Sequence, residues 1–198
     1  AVFTAEAGGH VAAAGDAWVL LLEVAYLRPE THQDAAEWSR HATALVEHLG
    51  RGSALDASLQ RAEGNLRAIQ GRPADAVRHL RRAAEILEAR GGETPELGET
   101  LTDLGNAYTE LGRLDAARDH HARALRIQTE QLGETHPGVG NAMTGLALVY
   151  DELGRTDESY PLYESAVQIF KDALGPWHPS VATALNNLSL IHISEPTR

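Results

Sequence analysis

The sequence predicts an all-α protein built as a solenoid of about four antiparallel helix pairs with partial units at its ends. Alanine and leucine dominate the apolar residues, and only 5% of the chain is aromatic, a composition that favours helix over sheet. A 42-residue segment also recurs along the chain. Within each copy, apolar residues are spaced by three and four, as on one face of a helix. Such units are expected to stack on their neighbours, because a single helix pair cannot bury its apolar face alone.

The two clearest copies begin at Thr102 and Thr144, at an offset of 42 residues. The number of identities at this one offset indicates an internal repeat. The matched pairs include Leu104 and Leu146, Tyr108 and Tyr150, Gly112 and Gly154, Arg113 and Arg155, Ala124 and Ala166, Gly133 and Gly175, and Pro137 and Pro179.

The first two helix pairs are predicted at residues 14–50 and 53–91, where the repeat is looser. Pro29 marks the turn within the first pair, after inward-facing aromatic and leucine residues, and Gly71 marks the turn within the second. Residues 1–13 are interpreted as the tail of a still earlier helix.

The third and fourth pairs are predicted at residues 97–135 and 139–177. Gly112 separates the two helices of the third pair, and Gly133 provides a C-cap with positive φ for the second helix. Pro137 then stops any continuation, because proline disfavours helix in the residue before it.

A fifth copy begins at residues 181–187 and then departs from the pattern. The repeat requires an aromatic residue at position 192, which is His192, and no Gly-Arg turn follows. Residues 188–198, LSLIHISEPTR, resemble the translation of a transposase-type sequencing adapter and are interpreted as an artefact. A genuine polar cap is the alternative, since solenoids need one. On the adapter interpretation, residues 1–187 form a single solenoid that is a fragment of a longer protein.

The 42-residue pattern resembles the tetratricopeptide repeat, in the longer form found in kinesin light chains. Small residues stand at the family's small positions, Gly105, Ala117 and Ala124, while LG..HP links successive units and LNNL opens the next. The resemblance covers residues 97–187 closely. It implies a right-handed superhelix that acts as a non-catalytic scaffold, binding a peptide or a partner helix on its concave face.

The resemblance also implies which residues line that concave face, since the first helix of each pair forms it. Asparagine side chains there can donate to and accept from a peptide backbone; the alternative is that these are merely solvated helix positions. A carboxylate clamp is not expected, because the face carries a single basic residue. The predicted partner-binding residues are Arg61, Asn65, Thr102, Asn106, Thr144, Leu148, Asp151, Asn186 and Asn187.

No catalytic, cofactor or metal site is predicted. The chain has no cysteine, and its ten histidines are spread along it. His120 and His121 are adjacent and therefore point to different sides of a helix, with His121 standing where the family has an aromatic ring. The glycines of GVGNAMTG lack the spacing of a phosphate-binding loop, and no nucleophile elbow is present.

The net charge of −11 disfavours nucleic acid and anionic membranes as partners. A protein or peptide ligand that is neutral or basic is expected instead. No apolar run is long enough to span a bilayer, and a cytoplasmic location is expected. Self-assembly through the ends of the solenoid is a further alternative.

A second hypothesis concerns the parent protein. An AWxxL segment at residues 17–21 precedes the regular LG..HP repeats, an order that resembles the C-terminal half of bacterial Ser/Thr protein kinases with tetratricopeptide tails. This resemblance implies a catalytic domain upstream of Ala1, or another multidomain signalling regulator carrying a similar tail.

Overall fold

The computed structural model describes residues 11–27 and 34–194. The predicted turn at Arg28-Pro29, most of the predicted helix tail at residues 1–13 and the final four residues lie outside the described residues, as does the side chain of Tyr26.

Within the described ranges the chain forms nine α-helices and no β-strand, so the prediction of an all-α helical repeat is confirmed. The helices are α1 (Val11–Leu27), α2 (Ala35–Leu49), α3 (Ala54–Ile69), α4 (Pro73–Gly91), α5 (Pro95–Glu110), α6 (Leu114–Leu132), α7 (Pro137–Glu152), α8 (Thr156–Leu174) and α9 (Pro179–Ser194).

The first compact unit spans Ala1–Gly92. In it α1 packs against α2 and α3, and α3 packs against α4. Its core includes the buried side chains of Trp18, Leu22, Val46 and Leu59. The Trp18 indole also stacks on the His41 ring at a centroid distance of 4.5 Å.

The second compact unit spans Glu93–Arg198. Its helix pairs are α5 with α6 and α7 with α8, while α7 also contacts α5, α6 and α9. The first helices α5, α7 and α9 therefore lie side by side, with α7 in the middle. The prediction of one continuous solenoid over residues 1–187 stays a prediction. The helix α9 continues as far as Ser194, and the adapter interpretation of residues 188–198 likewise stays a prediction.

The Gly-Arg turns within the second unit have the same geometry. Gly112 and Gly154 have φ of +67° and +70°, which glycine adopts without steric cost. The following N–H of Arg155 donates to the Tyr150 carbonyl at 2.8 Å, and the Arg155 guanidinium lies over the Tyr150 ring, 4.6 Å from its centroid. This cation–π contact closes the turn.

The His-Pro linkers cap the helices that follow them. His136 Nδ1 accepts a hydrogen bond from the Gly138 N–H at 3.1 Å, and His178 Nδ1 accepts one from the Ser180 N–H at 3.2 Å. The following prolines occupy the first helical turn, where a missing N–H costs nothing. The linker histidines therefore have a structural role.

Close contact between helices depends on small residues opposite large ones. A Cβ at Gly64 would lie 2.6 Å from Leu80 Cγ, and a Cβ at Gly105 would lie 2.6 Å from His121 Nε2. Leu80 and His121 occupy the same register of successive repeats. Each of these two side chains therefore fills a space that exists only because its neighbour is glycine.

Among the described helices, none combines the length and the apolar character that a bilayer span requires.

Candidate functional site

A groove of about 440 Å³ runs across the three first helices of the second unit. The middle helix α7 contributes residues at the spacing i, i+3, i+4, i+7, which is one helical stripe. The lining residues are Thr102, Asp103 and Asn106 of α5; Asn141, Thr144, Gly145 and Leu148 of α7; Phe170 of α8; and Pro179, Ser180, Thr183 and Asn187 of α9.

The three threonines of the groove use their hydroxyl groups within their own helices. Thr102 Oγ1 donates to the Gly98 carbonyl at 3.1 Å and Thr144 Oγ1 to the Gly140 carbonyl at 2.8 Å. Thr183 Oγ1 makes the same i−4 bond at 3.2 Å. What these residues offer a ligand is therefore chiefly a methyl group, so the groove is more apolar than its composition suggests.

Three carboxamides supply the groove with uncommitted hydrogen-bonding groups, one from each first helix. Asn106 and Asn141 are exposed, and Asn187 is half-buried. Within the part of the chain that the structure describes, none of the three side chains makes a hydrogen bond. Each can donate two hydrogen bonds and accept two more.

The groove lies in the more acidic unit. Residues 93–198 carry sixteen acidic and seven basic residues, whereas residues 1–92 carry twelve and ten. Asp103 is the one charged side chain among the described lining residues. The electrostatic environment therefore opposes an anionic ligand.

Directly behind the groove lies a buried histidine. His121 of α6 is 0% exposed, and its ring is enclosed between Gly105 of α5 and Gly145 of α7. Neither ring nitrogen has a hydrogen-bond partner within the described residues. Burial, with a smaller contribution from neighbouring His120, lowers the pKa of His121 to about 4. The ring is therefore neutral at pH 7.

A similar packing arrangement recurs two helical turns further along α6. The buried Gln128 side chain occupies the space that a Cβ at Gly98 or Gly138 would need. In the next repeat the corresponding side chain is Phe170, which packs against Gly140 in the same manner. Phe170 is consequently held in place from behind while it also lines the groove.

The structure brings five of the nine predicted partner-binding residues together in this groove: Thr102, Asn106, Thr144, Leu148 and Asn187.

The other four predicted residues lie elsewhere. Arg61 and Asn65 belong to α3 of the first unit, where Arg61 pairs with Glu23 at 3.1 Å. Asp151 accepts a hydrogen bond from Ser159 Oγ at 2.8 Å, which ties it to α8. Asn186 is exposed and does not line the groove.

Sequence reasoning missed Asn141, Asp103 and Thr183. A signal was available for two of them, because Asn141 and Thr183 are 42 residues apart and thus share one register of the repeat. Extending the predicted stripes of α7 and α9 by one turn towards their N-termini would have included Asn141 and Thr183 respectively.

No group of three or more His, Cys, Asp or Glu residues in the described ranges is arranged to hold a metal ion.

Successive helix pairs whose first helices line a common groove define a helical repeat solenoid. A family model described as tetratricopeptide repeat matches residues 55–130 and 96–159, and a second model of the same description matches residues 139–180. The chain belongs to the tetratricopeptide repeat family.

Solved structures show the same fold at low sequence identity. A putative kinesin light chain of P. anserina with nearly identical TPR-like repeats is 22% identical, with a TM-score of 0.70, over 90% of this chain and 85% of that one. BtubC (BKLC) from P. vanneervenii is 17% identical, with a TM-score of 0.65, over 91% of this chain and 81% of that one. The APC/C hetero-tetramer Cut9-Hcn1 matches at 18% identity and a TM-score of 0.67, over 96% of this chain and 35% of that one.

No curated protein sequence matches the chain. Tetratricopeptide repeats are generally protein–protein interaction scaffolds, and the fold is typically non-catalytic.

Proposed function

We propose that this chain is an interaction scaffold whose groove in the second unit binds an extended segment of a partner protein. The observation that carries the proposal is the convergence on one groove of Asn106, Asn141 and Asn187, three carboxamides without a hydrogen-bond partner among the described residues.

The carboxamides favour an extended ligand over a helical one. A helix satisfies its own backbone N–H and C=O groups internally, so it has few left for the groove. An extended segment leaves these groups free, and each asparagine can pair with both kinds. Backbone recognition of this type gives affinity that depends only weakly on the ligand's sequence.

The charge of the second unit supports a neutral or basic partner segment. Its excess of acidic residues and the presence of Asp103 in the groove would repel aspartate and glutamate.

The test is a selection of random twelve-residue peptides on the full immobilised chain, followed by affinity measurement with the best fluorescein-labelled peptide. We expect the Asn106→Ala, Asn141→Ala double variant to bind about 30-fold more weakly, because each lost hydrogen bond contributes about 1 kcal/mol. Asn186→Ala is the matched control, since Asn186 is an exposed asparagine outside the groove. It should bind like the unmodified chain. Equal affinity of all three proteins, or no enriched peptide, would contradict the proposal.

We also propose that the array is the tail of a larger signalling protein with a kinase or another regulatory domain upstream. The AWxxL segment before the regular repeats supports this order. A continuous read of the encoding locus upstream of Ala1 tests it. A Gly-rich loop followed by HRD and DFG motifs is the expected result; an unrelated domain there would refute the kinase assignment.

A further inference from the structure

The linker between α8 and α9 carries a tryptophan whose side chain lies almost entirely in solvent. Trp177 is 95% exposed, whereas Trp18 is 3% exposed and Trp38 is half-buried. Within the part of the chain that the structure describes, the Trp177 indole has no hydrogen bond and no ring or cation–π contact. The ring therefore contributes little to the packing of the second unit.

The conformation of the linker does not require this ring. In the linker between α6 and α7, as in this one, the N–H of the linker histidine donates to the carbonyl of the glycine three residues earlier at 3.2 Å. At the register of Trp177 that linker has Thr135. Thr135 is exposed as well, although helices follow on both sides of it. This register thus faces solvent in both copies, and only one of them carries an aromatic side chain.

Trp177 stands close to the end of the groove that α9 forms. Pro179 and Ser180, in the first turn of α9, line the groove. The residues at the same register of α7, Pro137 and Gly138, are not among its described lining residues. The groove therefore extends towards the His-Pro linker at α9 but not at α7. Since consecutive Cα atoms are about 3.8 Å apart, the Cα atom of Trp177 lies at most about 11 Å from that of Ser180.

The charge around the ring is set by the unit as a whole. Lys171 and Asp172 are the charged residues within ten positions of Trp177 along the chain, and their charges cancel. Residues 93–198 carry sixteen acidic and seven basic residues, an excess of nine negative charges. The field of the unit consequently attracts a cation to this end of the groove and repels an anion.

An open aromatic face suits a cationic side chain better than an apolar one. An apolar side chain on the Trp177 ring would keep its outer side in water, so little apolar surface would be buried. A guanidinium or ammonium group is attracted by the electrons of the ring face, and its outer side stays hydrated. Among aromatic side chains, tryptophan gives the strongest attraction of this kind.

We infer that Trp177 binds one arginine or lysine side chain of the partner segment by a cation–π contact, at the end of the groove that α9 forms. This inference rests on the proposed peptide-binding function. The groove carboxamides pair with the backbone of the segment, and the ring selects a basic residue beyond them. Because an extended segment advances about 3.3 Å per residue, this basic residue lies within about three or four residues of the one that contacts Ser180.

Three variants separate the aromatic face from the other properties of the linker. Trp177→Thr introduces the residue found at this register of the preceding linker. Trp177→Leu keeps an apolar side chain without an aromatic face, and Trp177→Phe keeps a weaker aromatic face. Each variant should unfold at about the same temperature as the unmodified chain, since the position is exposed.

The measurement is a double-mutant cycle between the full chain and the best fluorescein-labelled peptide from the random twelve-residue selection. Each basic residue of the peptide is replaced in turn by glutamine. We expect one replacement to lose about two- to fivefold more affinity with the unmodified chain than with Trp177→Thr. Trp177→Leu should behave like Trp177→Thr, and Trp177→Phe should bind with an affinity between those of Trp177→Thr and the unmodified chain.

The outcomes separate this inference from the function beneath it. If binding depends on Asn106 and Asn141 but no basic residue of the peptide is coupled to Trp177, the peptide-binding function holds and the cation–π inference is wrong. The same conclusion follows if the selected peptides lack basic residues, or if Trp177→Leu binds like the unmodified chain. If binding is independent of the asparagines, or if no peptide is enriched, both are wrong.

Discussion

His121 is a histidine enclosed between two glycines, and its ring nitrogens have no partner among the described residues. Its neutral form is tolerated because the buried ring packs closely against the glycines of both α5 and α7. The protonated form would place a charge in that space with no acceptor nearby, which is why burial lowers its pKa to about 4. In the preceding repeat the corresponding side chain is Leu80, which has no polar atom, whereas in the following repeat it is Tyr163, whose buried hydroxyl also has no partner among the described residues.

The first prediction concerns the pH dependence of stability. Between about pH 6.5 and pH 4 the unfolded chain binds a proton at His121 that the folded chain does not. Above pH 6.5, His121 should therefore have no effect on the free energy of unfolding. As the pH drops from 6.5 towards 4, protonation of His121 in the unfolded chain should lower that free energy by about 3 kcal/mol. In the His121→Leu variant this pH-dependent loss of stability should disappear. The variant should still fold, because the preceding repeat already has a leucine, Leu80, in the same register.

Urea denaturation at a series of pH values measures this difference. His48→Gln, which removes an exposed histidine of the first unit, is the control and should keep the slope of the unmodified chain. An identical slope in His121→Leu would show that His121 is accessible to protons in the folded state.

At the scale of the helices, small residues determine how closely the pairs approach. Ala124 of α6 and Ala166 of α8 occupy the same register of successive repeats, and both are 0% exposed. No space for a larger side chain exists at either position, since protein interiors are packed about as densely as organic crystals. The close contact between the two helices of each pair depends on the small size of these alanine side chains.

The second prediction is that Ala166→Leu lowers the free energy of unfolding by about 1–3 kcal/mol, because the added atoms overpack the interface between α7 and α8. Thermal melting by circular dichroism measures the loss. Ala173→Leu, on the exposed side of the same helix, should change the melting temperature little. Equal melting temperatures for both variants would mean that the interface tolerates the larger side chain.

The helices themselves were largely predictable from the sequence, while the groove was predictable only in part. The 42-residue offset located the helix pairs, and Gly112 and Pro137 located their ends, because backbone conformation at these residues is decided locally. Asp151 shows the limit: its register matches the predicted concave face, yet its carboxylate is bonded to Ser159. Periodicity gives the face of a helix, but the partner of a polar side chain depends on residues distant in sequence.

At the scale of the whole molecule, the charge is unevenly divided. Residues 93–198 account for most of the net charge of −11, through sixteen acidic and seven basic residues. A uniform acidic surface would only keep the protein soluble. Under the proposed peptide-binding function, the concentration of acidic charge in the unit that contains the groove favours neutral or basic segments as ligands.

The third prediction follows from that distribution. Raising the ionic strength from about 0.01 M to 0.3 M should weaken the binding of a peptide with lysine or arginine flanks by roughly one order of magnitude, since the screening length shrinks several-fold. The binding of a peptide with the same central residues and neutral flanks should change by less than twofold. Fluorescence polarisation titrations at both salt concentrations compare them. Equal salt dependence of the two peptides would indicate that the acidic surface does not act on the groove.

The enclosure of His121 also bears on how such an array can grow. Its ring is held by Gly105 of its own repeat and by Gly145 of the following one, so this repeat is fitted to the residue at one position of its successor. Duplication of one repeat within the gene would place a ring of one size against a recess shaped for another. When such an array lengthens by duplication, the residues in contact across each new junction would therefore have to change together. Sequence differences between neighbouring repeats should consequently occur at pairs of positions that are in contact.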